Sequence, residues 1–510
     1  NSGIYLIEFF DIVTIIKINE KFCLKCLKKR YIETLNFSVK KFINKNTTFI
    51  YNSYIDKIKI SKLIKYCFKI KFERIIIFDK YKNKIYYLSE KEMIKCKDHI
   101  EVMHFDDIHL KDRMYKIFET GYRVYNNINI HIGRFMPIID VKCKTKKDII
   151  KLPIYSSEIA MYCEEEFAYH GGKGYSKYQA YKSAIGEAYE RYCSKILGNE
   201  ITKFDTYENL IKMNINTFNP FEVLNKENNN LNYSHKKVYE WCLVTDLTDN
   251  KKIYIPSNMI FFPYTRDNDY HMISQTTTGL ACGNYIEEAI LQAILEIVER
   301  DSYVIKYLEN IPLPTIDLST DKELYKISKY LKKMDIKLHI KHLNTKYGIH
   351  VVHCTTQSTK FPIFTHGAGA ALDIKTAIRR AIIECIQLRI SQIELRENHK
   401  EFNSKDNYSY KQWGLGEMKE VSPYLNNDIT EILSINDFEN FSTGNLKTDI
   451  QNIIKHLNKD NKKVYVANLT RKFYDLSVVR VIIPDMQDID FYGDRETEKI
   501  KKLVKRNIFS

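Results

Sequence analysis

Several familiar nucleotide-site and hydrolase signatures are missing from this chain. It has no G-x-x-x-x-G-K-[ST] phosphate loop, no G-x-G-x-x-G after a strand, no H-E-x-x-H and no G-x-S-x-G. P-loop, Rossmann, zincin and α/β-hydrolase readings therefore have nothing to rest on. Its 11 cysteines are odd in number and form no paired framework, which excludes a disulfide scaffold and leads us to expect a reduced, cytoplasmic protein. No long apolar run is free of charge: "NSGIYLIEFFDIVTIIKI" carries Glu8 and Asp11 and has no basic stretch ahead of it. Neither a signal peptide nor a membrane span fits, and a buried strand or helix is expected instead.

Charge of one sign is in moderate excess. Lys plus Arg number 79 against 64 for Asp plus Glu, a net charge of +15. The lysines are spread along the chain and no nucleic-acid module accompanies them, so the excess reads as a dispersed solvated face with no nucleic-acid partner.

What is present is ample core material. With 510 residues, 44% of them hydrophobic and 13% aromatic, the chain should fold as two or three domains, or as one large domain with an appendage. In the first hundred or so residues, "FERIIIFDKYKNKIYYLS" reads as two strands joined by a polar turn. We expect a small α/β docking domain over residues 1–111. Near "HLKDRMYKIFETGYRV" the texture changes, and from there long helical patterns mix with strand-like runs such as "KLHIKHLN", "IHVVHCTT", "KVYVANLT" and "SVVRVIIP". Without regular β-α-β alternation this implies an α+β domain over 112–510. Residues 225–237 and 396–411 read as polar loops.

Three of the helical patterns carry acids beside an apolar stripe. In "SAIGEAYERYCSKIL" the core positions are Ala184, Ile185, Ala188, Tyr189, Tyr192 and Cys193, with Glu187, Glu190 and Arg191 alongside. "NYIEEAILQAILEIVERDSYVIKYL" repeats the E-x-x-E-R order with Glu296, Glu299 and Arg300, and Glu288 lies about two turns earlier on the same side. "TAIRRAIIECIQLRIS" holds Arg380, Glu384, Gln387 and Arg389. A single E-x-x-E-R is ordinary on a solvated helix. Two copies on mostly buried helices are not, because like charges about 4 Å apart repel by roughly 4 kcal/mol at an effective dielectric of 20. Facing glutamates therefore need cations, and hard oxygen ligands of this kind suit Mg²⁺ shared with phosphates. The glycines of "YHGGKGYSKYQA" and "THGAGAALD" read as turns leading into helices.

In order, "GGKGYSKYQAYKSAIGEAYERY", "TTTGLACGNYIEEAILQAILEIVERDSY", "GAGAALDIKTAIRRAIIECIQLR" and "SVVRVIIPDM" resemble the YcaO family of ATP-dependent enzymes acting on peptide backbone amides. The resemblance spans roughly residues 112–505. It implies ATP and Mg²⁺ as cofactors, with Ser183, Glu187, Glu190 and Arg191 in one nucleotide motif and Asn284, Glu288, Glu296, Glu299 and Arg300 in a second. Glu384, Gln387 and Arg389 belong to a third, and Glu187, Glu190, Glu296 and Glu299 are the expected Mg²⁺ carboxylates. The implied activity is cyclodehydration of Cys, Ser or Thr in a precursor peptide to thiazoline or oxazoline rings. A leader-peptide-binding protein is the implied partner, and a homodimer would be in keeping with the family. Thioamidation, macroamidine formation and a non-catalytic scaffold are the alternatives, since no proline follows Pro484 where many ring-forming members carry a proline-rich tail. "FCLKCLKKRY" resembles the cysteine-pair segment of leader-binding partners, but Cys23 and Cys26 have no second C-x-x-C to complete a zinc site.

Overall fold

The computed structural model describes residues 3–9, 12–18, 75–79 and 84–88 by their backbone. It then describes 108–114, 138–144, 150, 152–159, 169–196, 200–224, 233–264, 271–344, 346–398, 431–471, 476–489, 497 and 499–503. Contacts divide the chain into two units, Asn1–Met103 with Arg123–Lys142 and Ser157–His170, and His104–Tyr122 with Cys143–Ser156 and Gly171–Ser510.

In the first unit four strands form an antiparallel sheet in sequence order: β1 (Gly3–Phe9), β2 (Ile12–Ile18), β3 (Ile75–Asp79) and β4 (Lys84–Leu88). The opening apolar stretch makes two strands, paired from Gly3–Ile18 to Phe9–Ile12. "IIIFD" and "KIYYL" pair from Asp79–Lys84 to Ile75–Leu88. β-branched and aromatic residues fill these strands, as a pleated surface favours. The helices of the expected α/β domain, and Cys23 and Cys26, lie outside the described residues.

Strands β5 (Ile138–Cys143), β6 (Ile154–Ile159) and β7 (Tyr169–Lys173) come next in the chain. The second unit contains two larger sheets. One has the order β10-β9-β17-β18-β11, with β8 added on β9. Its strands are β8 (Lys203–Thr206), β9 (Val238–Asp246), β10 (Lys251–Pro256), β11 (Leu280–Gly283), β17 (Tyr465–Asn468) and β18 (Ser477–Ile482). The other has the order β15-β14-β13-β12-β16, from β12 (Thr315–Asp317), β13 (Ile336–Asn344), β14 (His350–Ser358), β15 (Phe364–Ala371) and β16 (Ile432–Ser434). Pairing in both is antiparallel except between β12 and β16. The architecture is α+β.

The three acid-bearing segments are helices α1 (Lys177–Cys193), α2 (Ile286–Glu309) and α3 (Ile374–Asn398). Helix α2 packs on β11 and β18 of the first sheet and on β15 of the second; α1 also packs on β11, and α3 on β14 and β15. Ala289, Ile290, Leu291, Ala293, Ile294, Leu295, Ile297 and Val298 of α2 are buried in one core with residues of both sheets. Each fully buried Ile, Leu or Val contributes about 1.5–3 kcal/mol, enough to carry carboxylates on the flank of the same helix. Each helix is also pressed against a glycine. A Cβ on Gly172 would lie 2.1 Å from the Ala184 amide nitrogen, on Gly283 2.7 Å from that of Ala289, and on Gly369 2.2 Å from the Ala377 carbonyl oxygen. The glycine-rich stretches thus do more than turn the chain; they let backbone meet helix.

Of the two polar stretches read as loops, Arg396–Asn398 instead close α3, and Tyr233 is buried; residues 225–232 and 399–411 lie outside the described residues. Among the described residues no helix is long and apolar enough to cross a membrane.

Candidate ATP site at the meeting of three acidic helices

Helix α1 starts at a capping box: the Ser176 hydroxyl accepts from the Gln179 amide at 3.2 Å, and the Gln179 side chain accepts from the Ser176 amide at 3.2 Å. With the start fixed and Ala184, Ile185, Ala188 and Tyr189 buried, Glu187 and Glu190 are held at the edge of the packed face. In α2 the same packing sets Glu296 and Glu299 in place. Electrostatic contacts join Glu187 to Glu296 and Glu384, Glu190 to Glu296 and Arg300, and Glu299 to Glu384. Carboxylates from all three helices therefore converge.

Cations are interleaved with them. Arg300 Nη2 binds Glu296 Oε1 at 2.7 Å, and Arg300 Nη1 donates to Thr278 Oγ1 at 2.5 Å. Thr278 in turn donates to Asp488 Oδ1 at 2.5 Å, while the Gly279 amide donates to Glu296 Oε2 at 3.0 Å. Lys173, at the end of β7, binds Glu384 Oε2 at 2.7 Å. Arg191 is held loosely, with Nη2 3.9 Å from Glu187 and 3.7 Å from Glu190. Its Nη1 is buried with no hydrogen-bond partner among the described residues.

Among the described residues six carboxylates, those of Glu187, Glu190, Glu296, Glu299, Glu384 and Asp488, face three cations, Lys173, Arg191 and Arg300. Burial pushes the Glu190 carboxyl up to about 8, with Arg191 opposing and Glu296 and Glu187 adding to the rise. Burial likewise pushes Glu299 up to about 8, joined by Glu384 and opposed by Lys173. Glu187 is also raised, first by burial. Added positive charge would bring these groups back to their ionised form. The cluster is not sealed, since Glu187 keeps 32% exposure and Glu296 24%.

The other candidate residues have local partners of their own. Asn284 and Glu288 form a local cap, Glu288 Oε2 accepting from the Asn284 amide at 2.9 Å and from its side chain at 3.0 Å. The electrostatic partner of Glu288 on α3 is Arg380. Gln387 lies against β7, its Nε2 2.1 Å from where a Cβ on Gly171 would stand. Arg389 is buried and donates to the Pro362 carbonyl at 3.1 Å. Ser183 is half-buried, one turn ahead of Glu187. Residues absent from the candidate set read from the sequence include Lys173, Thr278 and Asp488. Thr278 belongs to the quoted "TTTGLACG", and Asp488 follows the last quoted motif by two residues, so proximity to the motifs was their signal. His366 of β15 is stacked on Tyr303 of α2, with centroids 6.3 Å apart and planes at 12°. Burial lowers its imidazole to about 4 against the pull of Glu384.

A family model described as YcaO cyclodehydratase, ATP- and Mg²⁺-binding, matches residues 171–487, the stretch that holds all three helices and ends one residue before Asp488. The chain belongs to the YcaO family. With the family come its cofactors, ATP and Mg²⁺. An uncharacterised protein of Methanothermobacter thermautotrophicus is 26% identical over 372 residues, which cover 71% of this chain and 92% of that one. Among solved structures, a heterocyclase in complex with substrate and cofactor aligns over 96% of this chain and 73% of its own, with TM-score 0.78 and 19% identity. The YcaO protein of Methanopyrus kandleri, solved with AMPPCP and Mg²⁺, aligns over 71% of this chain and 89% of its own, with TM-score 0.55 and 22% identity. At these identities the solved structures establish the YcaO fold.

The residues present suit those cofactors. The excess of carboxylates answers to a divalent cation, and the bare Arg191 Nη1 answers to a phosphate oxygen. Among the described residues no three His, Cys, Asp or Glu side chains are grouped tightly enough to hold a metal ion by themselves. Mg²⁺ generally keeps waters and takes phosphate oxygens alongside one or two carboxylates.

Proposed function

We propose that this YcaO chain is an ATP- and Mg²⁺-dependent peptide cyclodehydratase. In this reading a Cys, Ser or Thr side chain of a precursor peptide attacks the preceding backbone carbonyl, and the amide oxygen is lost as phosphate, leaving a thiazoline or oxazoline. ATP supplies the phosphoryl group that makes the oxygen a leaving group. Glu187, Glu190, Glu296 and Glu299 are the metal-facing carboxylates, and Arg191 is the phosphate contact. Arg300, fixed by Glu296, Thr278 and Asp488, orients the α2 side. The chain's work is placement and charge neutralisation, which dominate phosphoryl transfer. Ser183, Asn284, Glu288, Glu384, Gln387 and Arg389 belong to the same nucleotide site by the family motif, with Glu288 and Gln387 acting through the elements they brace. Residues 1–111 form the docking domain for a leader-peptide-binding partner, and residues 112–510 the catalytic domain. The protein works in the cytoplasm, in bacteriocin-like peptide biosynthesis, with a homodimer as its assembly.

The observation that carries this reading is the convergence of carboxylates from three helices, raised by burial and by one another, on an arginine whose Nη1 has no hydrogen-bond partner among the described residues. Calorimetric titration of ATP with and without Mg²⁺ tests it, beside a Glu296→Gln, Glu299→Gln variant. Metal-dependent binding that the variant loses supports the site, and no binding to folded wild-type chain sinks it. Mass spectrometry of a treated precursor peptide then decides the chemistry. Loss of one water at each Cys, Ser or Thr is ring formation, and oxygen exchanged for sulfur is thioamidation. Loss of water without those side chains is amidine formation. An unmodified peptide and unhydrolysed ATP in the presence of the partner protein would favour a scaffold.

A further inference from the structure

Lys173 stands on a strand, yet it faces a carboxylate from each of the three acidic helices. Its ammonium lies 2.7 Å from Glu384 of α3, and its electrostatic neighbours include Glu299 of α2 and Glu187 of α1. The pair with Glu384 is accessible, at 30% and 42% side-chain exposure. A lysine ammonium is a compact, mobile point charge on a flexible stem. A divalent cation seeks the same hard oxygens with twice the charge.

We propose that Lys173 and a divalent cation compete for the carboxylates of this site, Lys173 serving as a tethered counter-charge that holds Glu384, Glu299 and Glu187 together when no metal is bound. The inference rests on the reading of the cluster as the Mg²⁺-ATP site. Two consequences follow from charge alone. Metal without nucleotide binds weakly, because the ammonium must give up its partners. Metal and nucleotide bind cooperatively, because a phosphate offers the displaced ammonium a new one.

The test uses the full chain and Mn²⁺ as a paramagnetic stand-in for Mg²⁺, with free Mn²⁺ read by electron paramagnetic resonance. Wild type, Lys173→Met, Lys173→Arg and, as a second neutral variant, Lys173→Gln are titrated with Mn²⁺ alone and again with a non-hydrolysable ATP analogue. The neutral variants are expected to bind Mn²⁺ alone at least about tenfold more tightly than wild type, a change of about 1.4 kcal/mol. The arginine variant should stay near wild type, and the nucleotide's enhancement of Mn²⁺ binding should shrink in the neutral variants. Unchanged Mn²⁺ affinity in folded neutral variants that still bind Mn²⁺ with the analogue would overturn the competition and leave the ATP site standing. Absence of Mn²⁺ binding by wild type even with the analogue would overturn the ATP-site reading, and this inference with it.

Discussion

Helices α1 and α2 carry the same E-x-x-E-R spelling and use it differently. In α2 the arginine is locked: Arg300 holds Glu296 at 2.7 Å and Thr278 at 2.5 Å, with Asp488 3.8 Å away. In α1 Arg191 stays 3.7 Å or more from both its glutamates and leaves Nη1 bare. The α2 copy is complete before any ligand arrives, whereas the α1 copy has donors still to satisfy. The same spelling is therefore held differently on the two helices, and the difference lies in Thr278 and Asp488, which stand outside the strands beside α2.

The strongest way to break this comparison is to remove the charge both copies share. Glu296→Gln with Glu299→Gln should abolish Mg²⁺-dependent ATP binding in calorimetry, because both residues face the point where the helices meet. Next come the arginines taken singly. Arg300→Met should lower thermal stability and ATP affinity together, since each hydrogen bond to a charged group contributes about 1.5–3 kcal/mol. Arg191→Met should weaken ATP binding by at least about tenfold, or about 1.4 kcal/mol, while the melting temperature hardly moves. Equal losses of stability in the two variants would erase the distinction between locked and waiting copies.

A pH series sharpens it further. Glu190 and Glu299 titrate near 8 in the folded chain, against 4.5 for the ordinary group. Between these values the folded state holds more protons than the unfolded one, so stability without cofactors should fall as pH rises from about 4.5 to about 8. Melting temperatures with Mg²⁺ and ATP present should show a shallower decline, and Glu190→Gln should flatten the curve without them. A slope indifferent to both would mean that the carboxylates are already neutralised. The smallest effect belongs to Glu288. Its bonds to Asn284 resemble a helix cap, so Glu288→Ala should cost about 0.5–2 kcal/mol in denaturant unfolding and leave most of the Mg²⁺-ATP affinity intact.

Much of this site was legible in the chain itself. Spacings of three and four residues put Glu187 beside Glu190 and Glu296 beside Glu299 whatever surrounds the helix. The apolar stripes marked which flank would be held near the core, and the order of four segments led to the family. The paired strands Ile75–Asp79 and Lys84–Leu88 were readable because runs of β-branched and aromatic residues act locally. Glu288 shows what helical spacing alone leaves out: two turns align it with Glu296, and the fold adds a bond to Asn284 and an electrostatic contact with Arg380 of α3.

The amino-acid sequence by itself determined the α+β mixture, the three acid-flanked helices and the identity of the chemistry-bearing residue types, because helix periodicity and turn preference depend on neighbours a few positions away. Only the tertiary structure decided that Lys173 meets Glu384 across 211 residues, that Thr278 bridges Arg300 to Asp488, and that Arg191 is left with a donor to spare. Those choices depend on how helices and strands far apart in the chain pack at glycine contacts, and no local spacing encodes a distance between them.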